Sequence, residues 1–355
     1  MYITVLCKVV DNFGDIGVAW RMCRRLAKIQ KKYKICLVVD DLLSFEKINP
    51  EVDVNASYQE FGGVEIFLWG DQILCQKDFS LNDGERLGVI LELFQCGRPD
   101  WMEDILFNKK LERTVQIIMI DYLTAEKYAE DFHCLKSLTR SAKVQKVNFM
   151  PGFTSKTGGL IIDEAWEKLP QWNEDGPVLV FTYTMGVGLI ENPWSLSLSK
   201  GHLEDLQPLP YMSQPDWDKM MRKCSALIIR GEESMSRACL SGIPFIWQAY
   251  PQSEEYQMVK VKALLERMRP HFDEEVFKTV KNAWLDINSY GVHELTVVPE
   301  LTVVPEPVEG PLTSFFKNLR ILRPGFLSFA QSLQKNGDLC TNLMTFINNL
   351  AIIEQ

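Results

Sequence analysis

This chain has no apolar run long enough to cross a bilayer, no cysteine pair in C-x-x-C spacing and no histidine pair in H-x-x-x-H spacing. A membrane-spanning helix needs about 20 consecutive apolar residues, so none is expected. The histidines, His133, His202, His271 and His293, are scattered, which argues against a structural zinc site. The cysteines, Cys7, Cys23, Cys36, Cys75, Cys96, Cys134, Cys224, Cys239 and Cys340, are odd in number and thinly spread. With no signal peptide, that pattern fits reduced thiols in a cytoplasmic protein. Basic charge is in deficit as well: 38 Lys and Arg stand against 47 Asp and Glu, a net charge of −9. A general nucleic-acid binder would show a basic excess, although a partner read by local contacts stays open.

What remains is a globular composition. The 355 residues are 46% hydrophobic and 24% charged, and they suffice for two domains of ordinary size.

The most informative stretch is Asp11-Asn12-Phe13-Gly14-Asp15-Ile16-Gly17. It follows an apolar run, residues 3–10, that reads as a buried strand. It precedes a helical pattern with Val18, Met22, Leu26 and Ile29 on one face. Two carboxylates and two glycines therefore fall on a strand-to-helix turn. Ligands of α/β proteins bind at the carboxyl ends of strands.

Further strand candidates lie at residues 34–40, 64–69, 88–94 and 115–120, with helical stretches between several of them. This is the rhythm of a doubly wound parallel sheet. Around residues 148–159 a run rich in glycine and proline marks a loop. The polar stretch 166–176 reads as a linker. A second α/β series then begins, with strand candidates at 178–183, 226–230 and 244–247. The fold expected is α/β, with a Rossmann-like domain at 1–172 and another at 173–335. A C-terminal helix, 336–355, is expected to return to the first domain. Residues 295–306 repeat Leu-Thr-Val-Val-Pro-Glu twice. Two copies make no solenoid, and their prolines suit a surface insertion at about 291–311 better than a core strand.

A second site candidate is Arg230-Gly231-Glu232-Glu233-Ser234, which ends one apolar run and opens a helical segment. Gly231 permits close backbone approach, and a helix N-terminus offers free N–H groups suited to a diphosphate. Arg230 adds a planar donor fork. Ser234 either caps the helix or bonds a phosphate oxygen. Glu232 and Glu233 either complement the helix dipole or bind sugar hydroxyls. Two such domains facing each other across a cleft describe a GT-B glycosyltransferase. Such enzymes commonly use helix dipoles and basic groups in place of a metal, so no metal and no cofactor are expected.

At these residues the chain resembles the bacterial protein-arginine rhamnosyltransferases that modify translation elongation factor P. The resemblance rests on residues 11–18, on Pro151-Gly152-Phe153-Thr154 with Thr157-Gly158-Gly159, on Arg230-Gly231-Glu232, and on Pro244-Phe245 with Tyr250-Pro251-Gln252. It implies a GT-B fold and transfer of rhamnose from dTDP-β-L-rhamnose, with inversion, to one arginine of elongation factor P. The modified factor then rescues ribosomes stalled at polyproline. By position, Asp15 resembles the catalytic carboxylate, with Asp11 and Glu232 as the other essential acids. Gly14, Phe181, Tyr183, Gln214, Trp217, Arg230, Gly231, Glu232, Glu233 and Ser234 fall where the family binds the donor. The repeat at 295–306 is foreign to the family, and three further departures stand out. Trp217 replaces a common phenylalanine, Glu233 replaces a common aspartate, and Thr184-Met185-Gly186 follows Tyr183 in an unusual pattern. Phe181 and Tyr183 are equally readable as core aromatics of a strand.

An arginine acceptor sets a definite problem. Guanidinium stays protonated above pH 12. An ordinary aspartate titrates roughly 8 pH units lower, so prior deprotonation by Asp15 would cost about 11 kcal/mol. Carboxylates must instead grip the cation and take its proton as the new bond forms. A related metal-independent GT-B enzyme with another donor or a small acceptor remains the alternative, and a non-catalytic nucleotide-binding protein is a third.

Overall fold

The computed structural model describes residues 1–10, 12–109, 111–183, 186–190, 206–289 and 310–353. Asp11, the residues Thr184 and Met185, and the tandem repeat at 295–306 lie outside them. The chain divides into two compact units. The first is Met1–Asp163 with Met212–Gln214 and Asn336–Gln355; the second is Glu164–Tyr211 with Pro215–Lys335.

The first unit is built on β1 (Tyr2–Cys7), β2 (Lys34–Val39), β3 (Tyr58–Phe61), β4 (Val64–Leu68), β5 (Val89–Leu93), β6 (Val115–Ile120), β7 (Lys136–Ser137) and β8 (Val144–Asn148). They form one sheet in the order β3-β4-β2-β1-β5-β6-β8-β7. The six inner strands are parallel, and β3 and β7 pair antiparallel at the edges. Parallel strands covered on both faces read as continuous apolar runs, and β1 and β2 are buried along almost their whole length. Counted along the chain, the inner six lie in the Rossmann order 3-2-1-4-5-6. That order reverses between β1 and β5, so the crevice for a ligand opens at their carboxyl ends.

The last residues complete this unit's core. Leu339, Cys340, Leu343 and Ile347 of the helix Leu339–Ile353 are buried in one cluster with Ile3, Val5 and Met22. Asp338 ties the segment down. Its Oδ1 accepts from Ile162 N–H at 2.8 Å, and its Oδ2 accepts from Arg25 Nε at 3.1 Å. The glycine-rich loop is the seat for this segment: Asn342 donates to Gly158 O at 3.0 Å and Asn336 to Phe153 O at 3.1 Å. A Cβ on Gly158 would meet the Phe149 ring at 2.5 Å, and Gly159 sits at φ +87° against Gly337 O, so neither position accepts a side chain. Leu343→Ala should cost about 2–5 kcal/mol, read as a lower denaturant midpoint. A cost below about 1 kcal/mol would mean the C-terminal helix adds little to the core.

The second unit carries β9 (Val178–Phe181), β10 (Val187–Ile190), β11 (Gln207–Pro208), β12 (Ala226–Arg230) and β13 (Phe245–Gln248). Among the described residues its sheet runs β11-β10-β9-β12-β13, with β9, β12 and β13 parallel. Trp284 is fully buried and donates to Phe245 O at 2.9 Å, with its ring 5.1 Å from that of Phe245. The stretch 166–176 is anchored within this unit. Trp166 is fully buried, and Trp172 Nε1 donates to Ser225 O at 2.9 Å. No helix among the described residues is long and apolar enough to cross a membrane.

Candidate active site

In the first unit the informative stretch is helix, not turn: the helix Asn12–Ile29 begins directly after Asp11 and places Asp15 in its first turn. An acid there complements the helix N-terminus. Neither Gly14 nor Gly17 has a positive φ, so backbone freedom does not explain them. Gly17 instead allows close approach. Gln214, grouped with this unit, donates from Nε2 to Gly17 O at 2.8 Å, and a Cβ on Gly17 would lie 3.2 Å from that nitrogen. The Oε1 of Gln214 is buried and has no hydrogen-bond partner among the described residues.

Asp15 is only 2% exposed. Its Oδ2 accepts from Val10 N–H at 2.8 Å, and its Oδ1 accepts from the Tyr122 hydroxyl at 3.2 Å. Tyr122 follows β6 and stacks on Phe94, which follows β5, with ring centroids 4.5 Å apart. Phe94 and Tyr122 thus come from the ends of two neighbouring strands, and Asp15 from the helix that follows the third, β1. Burial first, and the charge of Asp15 second, push the Cys7 thiol well above its ordinary range, so Cys7 is no thiolate nucleophile.

In the second unit the end of β12 delivers Arg230. Its guanidinium carbon lies 4.6 Å from the ring centres of both Phe181 and Tyr183, and its Nη1 donates to Thr182 O at 2.9 Å. The two aromatics whose strand-core reading was open therefore flank this arginine. Trp217 packs edge-on against Phe181 at 5.0 Å, and Tyr250 against Tyr183 at 5.3 Å. Gln248 accepts from Tyr183 N–H at 2.8 Å.

Gly231, at φ +71°, is the N-cap of the helix Glu232–Ser241, and no side chain caps that helix. Ser234 is buried in its first turn rather than capping it. The first-turn N–H groups are thus not taken by a capping side chain, as an anion site requires. Glu232 pairs with Lys260 at 3.5 Å, and Glu233 faces Arg237 Nε at 3.8 Å.

An isolated D-x-D metal motif is not expected from the sequence, yet Asp216-Trp217-Asp218 has that spacing. It lies within the helix Gln214–Met221, where residues two apart do not face each other. Asp216 binds Lys219 at 3.0 Å and Asp218 is buried. Among the described residues no cluster of three or more His, Cys, Asp or Glu is placed to hold a metal.

Tyr122, Phe94, Gln248 and Lys260 were not singled out from the sequence. The strand-end rule, applied to β5, β6 and β13, would have flagged the first three. Lys260 lies within the helix Tyr256–Met268 and gave no such signal.

Two α/β units, each with polar residues near strand ends and one holding an arginine beside a helix N-terminus, are the elements expected of a glycosyltransferase built from two Rossmann-like domains. The family model described as elongation factor P (EF-P) rhamnosyltransferase EarP matches residues 3–189 and 189–348, and the chain belongs to that family. A protein-arginine rhamnosyltransferase of Pseudomonas aeruginosa is 28% identical over 338 residues, spanning 81% of this chain and 87% of that protein. One from Shewanella oneidensis is 28% identical over an alignment 404 positions long with gaps, spanning 97% and 96% of the two chains. A solved chain described as "Structural basis for EarP-mediated arginine glycosylation of translation elongation factor EF-P" is 15% identical with a TM-score of 0.41, covering 98% of this chain and 99% of that one.

Proposed function

We propose that this enzyme moves L-rhamnose from dTDP-β-L-rhamnose to one arginine side chain of translation elongation factor P, inverting the anomeric centre and using no metal. The observation that carries the reading is the family match, which runs through both units. In this reading the first unit handles the acceptor and the second the donor.

The acceptor is a cation that cannot be deprotonated in advance. Asp15 fits the task of gripping it, because two donors fix its carboxylate from either side. It takes the proton as the nitrogen–sugar bond forms. Asp11, outside the described residues, is assigned a supporting role by resemblance alone. On the donor side, Arg230, Lys260 and the N–H groups of residues 232–234 meet the charge that grows on the departing diphosphate. Glu232 lies beside that charge, paired with Lys260, where a carboxylate favours an oxocarbenium-like sugar. Phe181, Tyr183 and Trp217 supply faces for the nucleoside, and Gln214 is assigned to the donor by resemblance alone. The acceptor acts in translation, which puts the enzyme in the cytoplasm.

Incubation with elongation factor P and dTDP-β-L-rhamnose should add one rhamnose to one arginine, read by mass spectrometry, and EDTA should leave the rate unchanged. Modification of another acceptor, or from another donor only, would support the alternative GT-B activity. A β-linked product by NMR would overturn inversion.

A further inference from the structure

The sheet order brings β1, β5 and β6 side by side, and the ends of β5 and β6 carry two aromatic residues with no role assigned so far. We propose that Tyr122 is a positioning residue for Asp15, and that the stacked Phe94–Tyr122 pair is the seat on which the acceptor's guanidinium lies. The inference rests on the reading of Asp15 as the carboxylate of arginine transfer.

Three observations carry it. First, the Tyr122 hydroxyl donates to Asp15 Oδ1 at 3.2 Å while Val10 N–H holds Oδ2 at 2.8 Å. The carboxylate plane is therefore set by groups of the first unit before any substrate arrives. Second, the rings of Phe94 and Tyr122 lie 21° from parallel with centroids 4.5 Å apart. Asp15 is 2% exposed and Tyr122 is 36% exposed. The pair thus leads from solvent to a buried acid. Third, the backbone is strained to achieve this. Phe94 and Gln95 both adopt φ +54°, a left-handed conformation that non-glycine residues rarely take. Phe94 N–H bonds to Ile120 O at 2.8 Å and Gln95 Nε2 to Asp121 at 2.9 Å, which fixes the β5 end against the β6 end.

A guanidinium is the cation this arrangement suits. It is planar, it stacks on aromatic faces, and its N–H groups leave the ring plane edge-on toward a carboxylate. Stacked on the pair, it presents a nitrogen to Asp15. A lysine ammonium has no plane to stack and would be held less well, so the pair also favours arginine over lysine.

The test is steady-state rhamnose transfer to elongation factor P, with dTDP affinity and melting temperature measured alongside. Tyr122→Phe keeps the ring and loses the hydroxyl. It should lower kcat about tenfold, the worth of one hydrogen bond to a charged group, with the acceptor KM within about twofold. Tyr122→Leu should also raise the acceptor KM about tenfold, as loss of a cation–aromatic contact would. Tyr122→Trp should recover KM but not kcat, a split that a merely structural role would not produce. Wild-type kcat in Tyr122→Phe would remove the positioning role, and an unchanged acceptor KM in Tyr122→Leu would remove the seat. No transfer by the unaltered enzyme would overturn the proposed function itself, whereas normal transfer by all three variants would overturn this inference alone.

Discussion

Asp15→Asn should leave dTDP binding unchanged and remove rhamnose transfer. The two halves of that result have separate causes. The nucleotide contacts proposed around Arg230 belong to the second unit, whereas Asp15 and its donors, Val10 N–H and the Tyr122 hydroxyl, belong to the first. The amide side chain would have one acceptor oxygen in place of two, so one of those donors would meet an NH₂ group. The variant would also lose the negative charge proposed to grip the acceptor and the site proposed to take its proton. General-base contributions alone are worth about 10²–10⁴ in rate, so kcat should fall at least that far. A melting temperature near the wild-type value would show that the loss is chemical. Near-normal turnover by this variant would take Asp15 out of the base role.

Arg230→Ala should weaken dTDP binding about ten- to a hundredfold, the range expected for lost charge-assisted bonds to phosphate. Alanine also removes a donor to Thr182 O and the guanidinium that lies beside Phe181 and Tyr183. Arg230→Lys separates these effects. It keeps the charge and loses the planar stack, so its affinity should fall between alanine and wild type. Unchanged affinity of Arg230→Ala in calorimetry would refute the assignment of the diphosphate to this turn.

The central strands are legible because burial on both faces writes them as apolar runs: residues 115–120 and 226–230 coincide with β6 and β12. The missed strands lack that mark. β3 alternates exposed and half-buried residues at an edge, and β8 interleaves Gln145 and Lys146 between its valines. The start of the helix at Asn12 is hidden by Gly14 and Gly17, poor helix formers whose glycine at 17 serves a contact with Gln214. Arg230 and Gly231 are visible because strand, glycine and helix follow each other directly. Tyr122 is not, since its tie to Asp15 spans 107 residues, a distance that no local pattern encodes. The motif at residues 151–159 reads correctly as a loop, but its task of seating the C-terminal segment needs a partner 184 residues away.

That partner has a consequence for how the enzyme is made. The apolar core beneath the helix carrying Asp15 includes Leu339, Cys340, Leu343 and Ile347. A ribosome that has finished Asp163 must still add more than 170 residues before Asn336 and the closing segment appear. At about 5–20 residues per second this takes roughly 10–35 s. Through that interval the nascent first unit holds an open apolar face, and the half of the protein that carries Asp15 is the last part to become whole.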